Sequence, residues 1–286
     1  EFKIRRVGVL AVGSVDMLQL GGEFTSADPK CRTIIGQYLV QFAPKATLDS
    51  IRNAGMLPQS LFRGVSIRYV RSQTDYEQVL ALRFEANKIS GQLGEAVTPR
   101  DMIDADDGRS RILLAVRGDE AVATVRIRFP GLDDQLEAEK HLKWPDDSPR
   151  RENIFEVSRL AINASYRGKD VLPSLFHYIS LSAIGSDRPW ITVSAMEKYV
   201  SFYRKVGFRD TGLTYRDSRW SNELHVLVAH AMDAIRGRGV NPLYWYIMWS
   251  KVLENFERDG VVVNSGMDKA RTTVFKVLGS LSGIRR

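Results

Sequence analysis

Between Val65 and His230 the apolar residues switch repeatedly between a two-residue and a 3.6-residue period, and the order of those switches narrows the fold. VSIRYV reads as a strand. DYEQVLALRFEANKI reads as a helix with Tyr76, Val79, Leu80, Leu82, Phe84 and Ile89 on its apolar side. RILLAV and AVATVRIRF follow as two strands joined across Arg117-Gly118-Asp119-Glu120, a hairpin turn. A loop rich in Asp and Pro runs to Asn153. Then come the strand IFEVSRLAI, a helix over about residues 172–184, the strand WITVSAM, and the helix EKYVSFYRKV ended by Gly207. Strands around LTYR and LHVLVAH close the series. The order β-α-β-β-β-α-β-α-β-β predicts a mixed α/β sheet rather than a regular doubly wound one.

Three segments are expected: a small β-rich piece over residues 1–63, this core over 64–232, and a helical extension over 233–286. In the first, KIRRVGVLAV and TIIGQYLVQF are β-like pieces broken by Gly13, Gly21-Gly22 and Pro29, with a short helical stretch near residues 48–52. VDMLQLGG and IIGQYLVQF resemble the closing turn and last strand of a PilZ domain. Leu18 stands where that family has Ser, and no R-x-x-x-R arm precedes it, so nucleotide binding is not inferred. The extension holds GVNPLYWYIMW, read as a core-packing helix with a lipid tunnel or a membrane face as the other readings, and a basic amphipathic helix near residues 268–281.

Composition excludes several classes. With 286 residues, 44% hydrophobic and 26% charged, the chain is able to bury a core. Its lone cysteine, Cys31, rules out an internal disulfide and a zinc site built on several thiolates. His141, His177, His225 and His230 show no ligand-like spacing, and no metal is expected. No P-loop, no G-x-G-x-x-G after a strand and no G-x-S-x-G elbow is present. The net charge of +7 favours an acidic partner. The apolar stretch LYWYIMW is far short of the ~20 residues that span a bilayer, and EFKIRR is not a signal-peptide core, so the expected compartment is the cytoplasm.

The strand IFEVSRLAI carries the sharpest chemical signal. Strict alternation places Phe155, Val157, Arg159 and Ala161 on one face and Glu156, Ser158, Leu160 and Ile162 on the other. A glutamate inside an apolar strand is costly unless it pairs with a cation or lines a cavity. Paired with Arg159 or Arg126, Glu156 is structural; lining a cavity, its raised pKa suits a general base.

FEVSRLAI followed by NASYRGKDVLPSLF resembles the central strand, phosphate loop and helix of GNAT acyltransferases, and WITVSAMEKYVSFYRKVGFRDTG resembles their later strand, helix and G-F turn. The form E-x-S-R-L-A, the helix segment LRFEANKI, the acidic DADDGRSRILLAV and the strand end ATVRIRFP are similar to one branch, the acyl-homoserine-lactone synthases and N-acyl amino acid synthases. The resemblance covers about residues 65–230. It implies a mostly antiparallel, GNAT-like central sheet flanked by helices, with no tightly bound cofactor.

The same resemblance implies a site. Glu156 is the base and Tyr203 returns a proton to the leaving sulfur. Ser158, Arg159 and Leu160, with Arg167 and Lys169 of the phosphate loop, face the acyl donor, and Arg83 and Phe84 the acceptor; Arg126 and Arg128, on one side of their strand, and the loop residues Asp104 and Asp106 are read from their charges as recognising the acceptor's carboxylate and amine. Asp170 and Leu172 occupy the small positions of the usual pyrophosphate loop, which argues against free acetyl-CoA and suits a phosphopantetheine arm on an acyl carrier protein. The expected reaction moves a long acyl chain from that carrier protein (or acyl-CoA) to the amine of an amino acid or similar small molecule. No nucleic-acid partner is expected, and peripheral membrane contact falls to the C-terminal helices. Three alternatives stay open: a lactone synthase using S-adenosylmethionine, a CoA-dependent acetyltransferase, and a non-catalytic ligand-binding module. Surface ion pairing is the competing reading for the aspartates, and a solvated loop for Arg167 and Lys169.

Overall fold

The computed structural model describes residues 2–12, 15–24, 26, 28, 31, 32, 35, 65–91, 97–131, 133–146, 148–166, 171–217 and 222–282. Strands β1 (Phe2–Val12) and β2 (Val15–Phe24) form an antiparallel sheet of their own. KIRRVGVLAV is therefore a strand, as expected. VDMLQLGG is not a turn but most of β2, which runs on through Gly21 and Gly22 because a register shift between Ile4 and Arg6 falls opposite the two small residues. Cys31, Arg32 and Ile35 are helical; apart from Ile35 the piece TIIGQYLVQF lies outside the described residues, as does the 48–52 stretch.

The core is one seven-stranded sheet. In chain order its elements are β3 (Ser66–Tyr69), α1 (Gln73–Ile89), β4 (Arg111–Arg117), β5 (Glu120–Arg128), β6 (Ile154–Ile162), α2 (Val171–Ser186), β7 (Trp190–Met196), α3 (Glu197–Lys205), β8 (Arg209–Arg216) and β9 (Glu223–His230). In space the strands run β3-β4-β5-β6-β7-β9-β8, and every neighbouring pair is antiparallel except β6 with β7. This is the predicted series and the predicted mixed sheet. Gly118, at φ +59, makes the β4–β5 turn, and Gly207, at φ +105, stops α3 where expected.

Each face of the sheet buries a different set of helices. On one side Phe155 and Val157 of β6 pack with Leu175 and Ile179 of α2 and with the C-terminal helices. On the other, Val79 and Leu82 of α1 cover Ile112, Leu114 and Val116 of β4. Ser72 caps α1 by accepting from the Asp75 N–H at 3.0 Å. Ile89, assigned to the apolar side of α1, is exposed in its last turn.

The C-terminal extension comprises α4 (Ala231–Ile235), α5 (Pro242–Met248), α6 (Ser250–Arg258) and α7 (Gly266–Leu281). Trp245 and Trp249 are fully buried, and their indole N–H groups donate to the carbonyls of Ile235 and Val206 at 2.8 and 3.0 Å. That hydrogen-bonded burial makes GVNPLYWYIMW a core-packing segment. Gly279 sets α7 against the Tyr246 ring, leaving Val274, Val277, Leu278 and Leu281 exposed. No described helix is long and apolar enough to cross a membrane.

Candidate active site

The site is built around an irregularity in β6. Glu156 pairs with Arg128 and Ser158 with Arg126, but the next partners are Ala161 and Thr124, so β6 uses one residue more than β5 over this stretch. Arg159 takes up the extra residue with φ +55, a left-handed conformation that costs a non-glycine residue about 1–3 kcal/mol. The bulge re-aims everything after it. Phe155 to Ser158 alternate as expected, whereas Arg159 turns to the side of Glu156, reaching Asp104 at 2.6 Å and Glu137 at 2.5 Å. Ala161 then packs under α1, and Leu160 and Ile162 join the main core. The expected face assignment therefore fails from Arg159 onward, because a strict two-residue period has no place for an inserted residue.

Beyond the bulge, β6 also parts from its other neighbour. β6 and β7 pair only from Ile154 to Glu156 against Trp190 to Thr192, although both strands continue further. Glu156 is thus the last paired residue at the mouth of a fork in the sheet. Past it, the edge of β6 facing β7 presents backbone N–H and C=O groups that no β7 residue takes up.

Glu156 is 4% exposed. Its Oε1 accepts the Glu137 backbone N–H at 2.9 Å, the Arg128 Nε stands 3.7 Å from Oε2, and no hydrogen bond satisfies Oε2. Burial first, and then the negative charge of Glu137, push the pKa of Glu156 up to about 7 against the pull of Arg128. The ion pair expected with Arg126 or Arg159 goes elsewhere, since both guanidiniums are taken by other carboxylates.

Those carboxylates form a buried network. Arg83 holds Asp107 in a fork at 2.6 and 3.0 Å, and Tyr76 donates to the same carboxylate at 2.7 Å. Arg126, wholly buried, reaches Asp104 at 2.9 Å and Glu137 at 3.1 Å and donates to Ser158 at 2.9 Å. Arg128 pairs with Asp106 at 3.3 Å and donates to the Gln135 carbonyl; Lys140 also holds Asp106, at 2.6 Å. Burial pushes Asp104 up, but Arg159 and Arg126 outweigh it and hold its pKa well below the usual carboxylate range. Asp106 and Asp107 are likewise lowered despite burial, by Lys140 with Arg128 and by Arg83 respectively. Four guanidiniums (Arg83, Arg126, Arg128, Arg159) thus meet five carboxyls (Asp104, Asp106, Asp107, Glu137, Glu156), and Glu156 is the carboxyl of the set whose pKa is raised.

The central sheet, its bulged strand and the fork between β6 and β7 give the core its topology, and residues 92–230, just under half of the chain, match the family N-acyl amino acid synthase FeeM. The core has a GNAT-like fold. Among solved structures the chain is similar to FeeM, an N-acyl amino acid synthase from uncultured soil microbes, at 12% identity over 60% of this chain and 93% of that one, TM-score 0.47. A putative N-acetyltransferase from Lactobacillus plantarum is similar at 13% identity over 59% and 99%, TM-score 0.44. Escherichia coli ElaA is similar at 19% over 58% and 99%, TM-score 0.41. No curated protein sequence matches the chain.

Within this GNAT-like core the structure gathers Glu156, Ser158, Arg159, Asp104, Asp106, Arg83, Arg126 and Arg128 into one cluster. Ser158 accepts from Arg126, and the Leu160 side chain is part of the core. Phe84 stands outside the cluster on α1, under the Lys88 ammonium at 5.8 Å. Tyr203, on α3, is partly buried with its ring 5.2 Å from Phe208; burial pushes its hydroxyl up to about 12. Arg167 and Lys169 lie outside the described residues. Sequence reasoning passed over Glu137, buried in the Asp- and Pro-rich loop, and Tyr215, buried on β8 with its ring stacked on His141 at 4.9 Å. Glu137 sits in a polar loop with no periodicity to mark it, and Tyr215 gains meaning only through the sheet order.

Proposed function

We propose that the protein is an N-acyltransferase moving a long acyl chain from acyl carrier protein to the amine of an amino acid or similar small molecule. The observation that carries this reading is a buried carboxyl with a pKa near 7, Glu156, at the mouth of the β6–β7 fork. A thioester laid along the fork would lie against the backbone N–H groups of β6 that no β7 residue takes up, which suit a developing oxyanion. The amine nitrogen attacks the thioester carbon. As the C–N bond forms, Glu156 takes one N–H proton; the C–S bond then breaks, and Tyr203 returns a proton to the sulfur.

The arginines and aspartates serve this reading as a rigid wall. In this reading Arg128, beside Glu156, meets the acceptor carboxylate, while Arg83, Arg126 and Arg159 hold the wall together. In this proposal Arg167 and Lys169 steer the acidic carrier protein, no cofactor stays bound between turnovers, and residues 64–232 are the catalytic unit, flanked by an N-terminal segment and a C-terminal extension. The same reading places the work in the cytoplasm, with peripheral membrane contact through the C-terminal helices.

The test is the lipid extract of cells expressing the wild type and Glu156→Gln, analysed by mass spectrometry. N-acyl amino acids made by the wild type and reduced about 10²- to 10⁴-fold in a folded Glu156→Gln variant are expected for loss of a general base. Short acyl-lactones would promote the S-adenosylmethionine reading, and an unchanged product in the variant would sink the acyl-transfer proposal.

A further inference from the structure

Two buried side-chain oxygens border the loop that carries Glu137 and Ala138. One is Oε2 of Glu156; the other is the hydroxyl of Tyr215, which is 5% exposed and has no hydrogen-bond partner of ordinary geometry. Register places them on one face of the sheet. Glu156 pairs with Thr192 on β7, Tyr215 pairs with Leu224 on β9, and Leu224 pairs with Met196 on β7. The pleat therefore sends Thr192, Ser194, Met196, Leu224 and Tyr215 to the side of Glu156. Tyr215, Leu224 and Val226 accordingly form a small cluster with Ala138, next to Glu137 in the loop that binds Glu156. The hydroxyl feels both carboxylates: burial, then Glu137 and also Glu156, raise its pKa, while nearby Ser194 pulls the other way.

A fold gains nothing from two unpaired buried oxygens unless something else engages them. A neutral primary amine carries two N–H bonds and one lone pair. Two acceptors, one for each N–H, leave the lone pair a single direction.

We infer that Tyr215 is a positioning residue for a primary amine: its oxygen and Oε2 of Glu156 each accept one N–H, aiming the nitrogen lone pair at the thioester in the fork. The inference rests on the acyl-transfer reading. The Tyr215 hydroxyl proton turns to the Ser194 oxygen, which keeps its lone pairs for the amine. When the C–N bond forms, the N–H on Glu156 is the proton transferred, and the N–H on Tyr215 remains in the product amide. A secondary amine has one N–H and fills only one of the two acceptors.

The experiment uses the purified full chain, a long-chain acyl–acyl carrier protein, and the primary amine found acylated in the wild-type extract, beside the N-methyl form of that amine. Tyr215→Phe removes the hydroxyl alone, with its weak contact to Ser194, so its melting temperature is expected to stay near that of the wild type. Its kcat on the primary amine is expected to fall about 10- to 100-fold, as befits a misaligned nucleophile. The preference for the primary over the N-methyl amine is expected to shrink with it. Wild-type kcat in Tyr215→Phe overturns the inference, and so does a lowered melting temperature with the amine preference unchanged. If Glu156→Gln turns over at the wild-type rate, or the extract holds no acylated amine, the acyl-transfer reading falls and takes this inference with it. An inactive Glu156→Gln beside a fully active Tyr215→Phe overturns the Tyr215 role alone.

Discussion

Glu156→Gln should make the protein more stable at pH 8 and leave it nearly unchanged near pH 5. In the unfolded chain this carboxyl titrates near its ordinary 4.5, whereas in the folded protein it titrates at about 7. Between those values the folded state holds a proton that the unfolded state has released, so the fold loses stability as pH rises through the window. Each unit of separation is worth about 1.4 kcal/mol, and the separation of about two and a half units comes to about 3 kcal/mol. Glutamine keeps an oxygen for the Glu137 N–H and does not titrate. The wild type should therefore fall behind the variant by about 2 to 3 kcal/mol between pH 5 and pH 8, other groups cancelling in the difference. Urea unfolding of both proteins at pH 5, 6, 7 and 8 measures this directly. A difference that stays flat with pH, or a variant that loses ground as pH rises, would show an ionised Glu156 held by Arg128 and would refute the argument for a base at the fork.

Glu137→Gln should shift the titration of Glu156 to lower pH, because the nearer negative charge is gone; selective ¹³C-carboxyl NMR reads the midpoint, and an upward shift would contradict the assignment. The same variant should lose about 3 kcal/mol in urea unfolding, since Arg126 and Arg159 each lose a buried partner. Gly279→Ala drives a methyl group into the Tyr246 ring, where about 1–3 kcal/mol of overpacking outweighs the gain in helix propensity. Limited proteolysis should then clip α7 sooner than in the wild type, and an unaltered cleavage rate would mean that α7 is held elsewhere.

The order of strands and helices was legible because each element is short, cleanly periodic and punctuated by glycines at Gly118 and Gly207 that the backbone needs at positive φ. Glu156 was legible for a related reason: a carboxylate amid Phe155, Val157 and Ile154 contradicts its surroundings. The two-residue period misled at Arg159. Nothing in the letters SRLA marks a bulge, which the neighbouring strand and the partners Asp104 and Glu137 impose from outside. Glu137 and Tyr215 were invisible for the opposite reason. One lies in a loop shaped wholly by tertiary contacts, and the other shares the face of Glu156 only through the pairing of β7 with β9 and of β9 with β8. The resemblance of VDMLQLGG to a PilZ turn fails for a similar reason, since a long antiparallel partner keeps the segment extended.

Three residue pairs are all that stitch β6 to β7, while β7 is zipped to β9 over seven. The sheet is thus two slabs, β3 to β6 and β7 to β9, meeting at an isthmus. A slab edge that is already open needs no strand to unzip before a long guest slides in. In the proposed reaction, entry of the acyl chain is then a matter of wedging rather than melting, and the residue standing at the isthmus is Glu156.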